Sequence, residues 1–334
     1  MDKDGWKAET WTQFGVRIVR KGIPGIDKPG VLSPETAARK AAGLTAGLDL
    51  TDCAAEITQL EIPNGDDTIP ISVYRRRAQS DAPAPAVICF HGGAFRTGSR
   101  RDIEPPMLLL CQKTDAVVFN VEYRLAPQYR YPCATDDCWQ AVKYVYRHAR
   151  ELGIDAGNIT VCGDSAGGTL AAACARRDRN YRTRMIRRQI LIYPVLALFD
   201  PSGMKDYSFS VDHYQFDDAY APQIIAQLRA LAAISAGGSF YTKDETQARL
   251  PDASPLADRS FRDIPETLIL CGEFDFVLEQ SRTYAKYLAQ AGTAVKLVIY
   301  RGMMHGFMNF TGIFPQAENL VEEMADFILN DRGG

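Results

Sequence analysis

From about residue 84 onward, apolar runs of strand length alternate with segments whose apolar residues recur at helical spacing. Ala86 to Phe90, Ala116 to Val121, Ile159 to Cys162, Ile190 to Val195, Thr267 to Cys271 and Val295 to Tyr300 are rich in Val, Ile and Leu and lack polar alternation. Such runs predict strands covered on both faces. Between them, Asp136 to Arg150, Gly168 to Arg177, Leu278 to Ala291 and Gln316 to Leu329 carry the helical period. Upstream, Glu56 to Ile62 and Thr68 to Arg75 alternate like a hairpin joined through Asn64-Gly65, a turn dipeptide. The fold class that follows is α/β, a mostly parallel central sheet with helices on both faces.

Two regions break the alternation. Residues 1–50 hold Trp6, Trp11 and Phe14 and then a helix start, with Ser33 as N-cap and Pro34 as first helical residue. Residues 200–254 carry Tyr207, Phe209, His213, Tyr214, Phe216, Tyr220, Phe240 and Tyr241. Neither has the strand content to build a sheet of its own. The expected organisation is an N-terminal cap segment (1–50), a core (51–199 and 255–334) and a cap insertion (200–254).

Composition narrows the function classes. The 334 residues include 38 basic and 41 acidic side chains, a net charge of −3, so no electrostatic footprint for a nucleic-acid partner or an anionic membrane is present. The longest apolar run, Ile190 to Phe199, contains Pro194 and is far short of the ~20 residues that cross a bilayer. No secretory or transit pattern is visible at the start of the chain, which predicts a cytoplasmic location. Eight cysteines are too sparse for a disulfide scaffold and read as reduced core thiols. Cys133 and Cys138 lack a matching histidine pair, and neither a His-Glu-x-x-His run nor a nucleotide fingerprint occurs, so neither metal nor cofactor is expected.

The chemistry concentrates in a few places. Gly163-Asp164-Ser165-Ala166-Gly167 follows a predicted strand and opens a small-residue helix, the context of a nucleophile elbow in an α/β-hydrolase fold. The pattern alone is weak; its position between strand and helix gives it weight. Upstream, a strand runs into His91-Gly92-Gly93-Ala94-Phe95, a small-residue loop able to turn backbone N–H groups toward one point. Gly92, Gly93 and Ala94, with Ala166 after the serine, are the candidate oxyanion hole. Of four histidines, only His305 follows the last predicted strand, where a loop at the sheet's carboxyl edge is expected. The chain order Ser, acid, His places the acid between them, and Asp275 follows a strand at its carboxyl end, with Glu273 and Glu279 as rivals in the same loop. Ser165, Asp275 and His305 are therefore the candidate catalytic residues.

Taken together, the His91 loop, Tyr123-Arg124-Leu125-Ala126-Pro127, the Ser165 motif, Ser254-Pro255-Leu256, Asp275 and His305-Gly306-Phe307 resemble the hormone-sensitive-lipase-like esterases of the α/β-hydrolase superfamily. The resemblance runs from about residue 70 to 330. It implies a serine carboxylesterase that hydrolyses short- to medium-chain acyl esters through an acyl-enzyme, beneath a helical cap. It also implies supporting roles: His91 holds the oxyanion loop, Asp164 supports the elbow, and Arg124 forms an ion pair with Asp136 or Asp137. Phe95, Tyr214, Phe216 and Phe307 are the candidate substrate-pocket residues. Three positions depart from the family pattern: Ala94 stands for a third glycine, Phe276 for the proline that commonly follows the acid, and Gln128 for a glutamate.

The same triad serves amidases and lactonases, because fold and triad do not set the leaving group. A non-catalytic receptor is the alternative from another class, as in the plant gibberellin receptors related to this family, which lost the catalytic histidine; His305 is present here. The expected partner is a small-molecule ester, with a homodimer as the candidate assembly.

Overall fold

The computed structural model describes residues 7–11, 16–21, 55–77, 82–210 and 240–330, together with positions 214, 222, 225, 226, 228 and 229. One sheet holds ten strands: β1 (Lys7–Trp11), β2 (Arg17–Lys21), β3 (Ala55–Asn64), β4 (Asp67–Arg76), β5 (Ala84–Phe90), β6 (Val117–Val121), β7 (Ile154–Asp164), β8 (Arg188–Ile192), β9 (Glu266–Phe274) and β10 (Val295–Met304). Their order is β1-β2-β10-β9-β8-β7-β5-β6-β4-β3. Pairing is parallel from β2 through β6 and antiparallel for β1 with β2, β4 with β6 and β3 with β4. The long helices are α1 (Glu104–Thr114), α2 (Cys133–Arg147), α3 (Ala166–Tyr181), α4 (Leu278–Gln290) and α5 (Pro315–Leu329).

The uninterrupted apolar runs became the inner strands, and every residue of β6 and β8 is buried, as strands roofed by helices on both faces require. Helix α1 packs against α5, and α2 against α3. The chain leaves β5 for β6 on one side and returns to β7 on the other, so the order reverses at β5. Loops after β5 and β7 therefore open side by side at the carboxyl edge, where such sheets bind ligands.

Four elements differ from the expectation. Residues 7–11 and 17–21, taken as part of a cap segment, instead extend the core sheet: Arg17–Lys21 pairs with Lys296–Tyr300 of β10. They cover the open edge that β10 would otherwise present. The helix start at Ser33 and Pro34 lies outside the described residues. Helix α1 carries no clear apolar stripe because it is buried on several sides, from Pro105 and Pro106 at its start to Thr114 at its end. The run from Ile190 stops being a strand at Ile192, since Tyr193 takes φ 33° and Pro194 follows.

The far end of the 200–254 insertion is tied to the core. Arg176 and Arg177 of α3 hold Asp252 at 2.6 and 2.7 Å, and Arg176 and Arg179 hold Asp258 at 2.9 and 2.8 Å. The fully buried Ser254 hydroxyl donates to the Ala248 carbonyl at 2.6 Å and accepts the Leu198 N–H at 2.8 Å, joining the two ends of the insertion. Among the described residues no helix is long and apolar enough to cross a membrane.

Candidate active site

Strand β7 ends at Asp164 and α3 begins at Ala166, which leaves Ser165 alone on the turn with φ 53° and ψ −116°. A side chain in that region costs about 1–3 kcal/mol and persists only where its surroundings hold it. Here the Ser165 N–H donates to the Ile192 carbonyl at 2.8 Å, and the Gly168 N–H closes on the Ser165 carbonyl at 3.0 Å. A Cβ on Gly163 would collide with the backbone of Gly167, and one on Gly167 with the carbonyl of Phe90. The small residues of the motif are a steric requirement of the turn.

The structure brings Ser165, His305 and Asp275 into one line. Ser165 Oγ lies 2.8 Å from His305 Nε2, and His305 Nδ1 lies 3.0 Å from both oxygens of Asp275. Asp275 is fully buried, and its Oδ1 also accepts the Val277 N–H at 3.1 Å. Nδ1 facing a carboxylate must carry the proton, so Nε2 is left as the acceptor toward the serine hydroxyl. The rival acids are engaged elsewhere: Glu273 accepts the Gly302 N–H at 3.0 Å, and Glu279 pairs with Arg282 at 2.7 Å.

The loop after β5 faces the elbow. Gly92 does not belong with the free donors of the expected oxyanion hole, because its N–H already donates to Asp164 Oδ1 at 2.7 Å. Gly93, Ala94 and Ala166 remain, and no acceptor among the described residues takes their N–H groups. Ala94 and Phe95 hold φ 53° and 62°, an uncommon conformation for residues with a side chain. Burial raises Asp164 to about 6, against the opposing pull of the Gly92 N–H and of His305.

His91 is fully buried and stacks on Tyr123 with ring centroids 4.3 Å apart. Its Nδ1 lies 2.7 Å from the Gly92 carbonyl, while the Tyr123 hydroxyl donates to the His91 carbonyl at 2.6 Å. Burial pushes the imidazole pKa down, so the ring is neutral and donates through Nδ1. Arg124 grips Asp137, not Asp136: Nε and a terminal nitrogen reach its two oxygens at 2.9 and 2.7 Å, and the Arg124 N–H adds a third bond at 3.0 Å. Asp136 pairs with Arg177 at 2.7 Å.

The candidate pocket residues separate. Phe95 is buried and stacks on Tyr241 at 3.9 Å, with the planes 7° apart. Phe307 lies in the core, against Tyr193 and Tyr300. Tyr214 is buried and donates its hydroxyl to the main-chain carbonyl of Asp275 at 2.9 Å. Phe216 lies outside the described residues. Sequence reasoning missed Tyr193 and did not connect Phe276 to the histidine: their rings flank His305 at 4.8 and 4.7 Å. Among the described residues no group of three His, Cys, Asp or Glu side chains is placed to hold a metal ion.

A hydrogen-bonded Ser, His and carboxylate beside a loop of unpaired N–H groups can attack a carbonyl carbon and hold the resulting oxyanion. Residues 87–309 match the family model of the alpha/beta hydrolase fold. Esterase LipI of Mycobacterium tuberculosis is 34% identical over 238 residues, 71% of this chain and 69% of that protein. Ethyl acetate hydrolase of Pseudomonas putida is 33% identical over 285 residues, 84% of this chain and 83% of that protein. A solved structure of a hyperthermophilic esterase from the archaeon Pyrobaculum calidifontis superposes with a TM-score of 0.73 at 30% identity, covering 87% of this chain and 92% of that one.

Proposed function

The chain belongs to the α/β-hydrolase fold family, among its hormone-sensitive-lipase-like esterases, and from that membership we propose that Ser165, His305 and Asp275 carry its reaction on short- to medium-chain acyl esters. It is a carboxylic-ester hydrolase. Ser165 Oγ attacks the ester carbonyl while His305 Nε2 takes its proton. Asp275 keeps the proton on Nδ1 and balances the imidazolium that forms. The negative oxygen of the tetrahedral intermediate rests on the N–H groups of Gly93, Ala94 and Ala166. His305 returns the proton to the leaving alkoxide, which departs as the alcohol. Water then repeats the sequence on the acyl-enzyme and releases the acid.

The continuous hydrogen-bonded line from Asp275 through His305 to Ser165 supports this reading. Hydrolysis of an aryl acetate by the wild type, and its loss in Ser165→Ala, tests it; retained turnover in that variant would remove Ser165 from the nucleophile's role. Matched aryl amide and lactone substrates separate the ester reading from its amidase and lactonase alternatives, with the ester expected to be turned over fastest. A reducing, cytoplasmic setting is supported by the described cysteines, which are all unbridged.

A further inference from the structure

The triad needs the Asp275 carboxylate to stay within 3.0 Å of His305 Nδ1, and part of what holds the acid's main chain comes from outside its own loop. The next residue is Phe276, so no pyrrolidine ring locks φ beside the acid. Inside the loop two bonds hold the acid: the Val277 N–H on Oδ1 at 3.1 Å and the Leu278 N–H on the Asp275 carbonyl at 3.1 Å. The third bond comes from far along the chain, where the Tyr214 hydroxyl donates to that same carbonyl at 2.9 Å. Tyr214 belongs to the 200–254 insertion and is held edge-on against Phe209, with ring centroids 6.2 Å apart. The insertion is also fastened to α4, directly after the acid: Thr283 Oγ1 donates to the Asp206 carbonyl at 3.3 Å, and Lys286 pairs with the Asp206 carboxylate.

We infer that Tyr214 is a positioning residue for the triad: by holding the main-chain carbonyl of Asp275, its hydroxyl keeps the carboxylate on His305 Nδ1, so the insertion helps to assemble the catalytic line. This rests on the assignment of Ser165, His305 and Asp275 to the reaction. The phenol can serve in this way across the working pH range. Burial first, and then the charges of Glu279 and Asp275, push its pKa up, so it stays a donor. The hydroxyl acts at one remove from the reacting atoms, and its loss should therefore appear in kcat and not in substrate binding.

Tyr214→Phe deletes one oxygen and leaves the buried ring. With a soluble aryl acetate, kcat should fall about tenfold, the scale of one hydrogen bond, while KM stays within about twofold and the unfolding midpoint falls by no more than the loss of that one bond allows. The decisive measurement is a double-mutant cycle. In an Asp275→Asn background the same substitution should cost less than about twofold, because the carboxylate it positions is already gone. The downfield proton resonance between His305 Nδ1 and Asp275 should broaden or shift in Tyr214→Phe. Unchanged kcat, equal losses in both backgrounds, or a change confined to KM would each overturn the inference. Ser165→Ala in the same assay keeps the two readings apart. If that variant stays active, the triad assignment fails; if it is inactive while Tyr214→Phe matches the wild type, only the positioning role falls.

Discussion

Asp164 Oδ1 accepts the Gly92 N–H at 2.7 Å, and this bond joins the strand that ends at the nucleophile to the loop that bears the oxyanion donors. The arrangement buries a carboxylate next to Ser165, and desolvation raises Asp164 to about 6. A carboxyl whose folded pKa lies above its unfolded one contributes stability in the protonated state, below about pH 4, and that contribution is lost as pH rises through the folded value. A rise from the ordinary carboxylate range to about 6 corresponds to ~3 kcal/mol against the charged form. Asp164→Asn keeps an acceptor for Gly92 and removes the titration. Its unfolding midpoint relative to the wild type should therefore climb from about pH 4 to about pH 6 and flatten above. A difference that does not vary with pH would show that Asp164 is not destabilised in this way.

Replacing Ser165 or His305 by Ala should lower kcat by roughly 10⁶, and Asp275→Asn by roughly 10⁴, with the Ser165–His305 double variant no worse than either single one. Non-additivity is the informative part, because the hydrogen-bonded line works as a unit. Independent, multiplying losses would mean that the three residues do not act together. Glu273→Gln and Glu279→Gln provide the contrast, since both carboxylates bond elsewhere; neither should approach the loss seen for Asp275→Asn.

At Ala94 the backbone changes the experiment. Proline would delete the N–H, but its φ near −65° is also incompatible with the observed 53°, so Ala94→Pro would distort the loop and remove the donor at once. Ala94→Gly keeps the donor and relieves the positive φ, while gaining unfolded-state entropy; the two effects nearly cancel, within about 1 kcal/mol. Turnover should be nearly unchanged. Ala94→Val puts a β-branched side chain at a positive φ and should lower both the unfolding midpoint and kcat. Equal behaviour of the Gly and Val variants would indicate that the loop relaxes away from this conformation in solution.

Arg124 and Asp137 form the support farther from the chemistry. Asp137 is fully buried, whereas the Arg124 side chain is 31% exposed, so Arg124→Ala would strand a charge that water reaches poorly. Uncompensated buried partners cost about 3–5 kcal/mol. The lower end applies, because solvent screens Arg124 and the Asn64 amide still donates to Asp137 at 2.9 Å. Arg124→Lys keeps the charge without the two-point grip and should lose less. Denaturant midpoints check the order, and kcat of the folded fraction should hardly change.

Legibility followed the range of the interactions. The inner strands could be read because burial on both faces writes an uninterrupted apolar run, and Ser165 because only small residues fit around its turn. His305 stood out because histidine is scarce in this chain. Asp275 could be preferred over Glu273 and Glu279 from its place after a strand, but what excludes the other two, the Gly302 N–H and Arg282, is visible only in the structure. Asp136 and Asp137 are neighbours on α2, and a turn of about 100° per residue sends one to Arg177 and the other to Arg124. Strand β2, reading Arg17-Ile18-Val19-Arg20-Lys21, carries too little apolar pattern to announce itself. Its partner is β10, near the other end of the chain. Gly92 looked like a donor until Asp164 was seen to accept its N–H.

The acyl side of the site yields the last expectation. Phe95 directly follows the oxyanion loop and stacks on Tyr241, whose hydroxyl lies 2.8 Å from that of Thr135. Phe95 is the proposed wall of the acyl pocket, and a ring held this way would not retreat before a growing acyl chain. Each methylene buried before the wall contributes about 0.8 kcal/mol, close to fourfold in efficiency. Beyond it, further methylenes misplace the carbonyl relative to Ser165. Efficiency against acyl length should therefore rise and then fall, with an optimum at roughly two to eight carbons. Phe95→Ala should move that optimum to longer chains while leaving acetate turnover within a few-fold. Removing the N-terminal residues is a poorer probe of the pocket, because it would strip β1 and β2 from the sheet edge along with anything they lead into. A Phe95→Ala profile that overlays the wild type would place the wall elsewhere, and a preference for long-chain triglyceride emulsion would rule out a closed short-chain pocket.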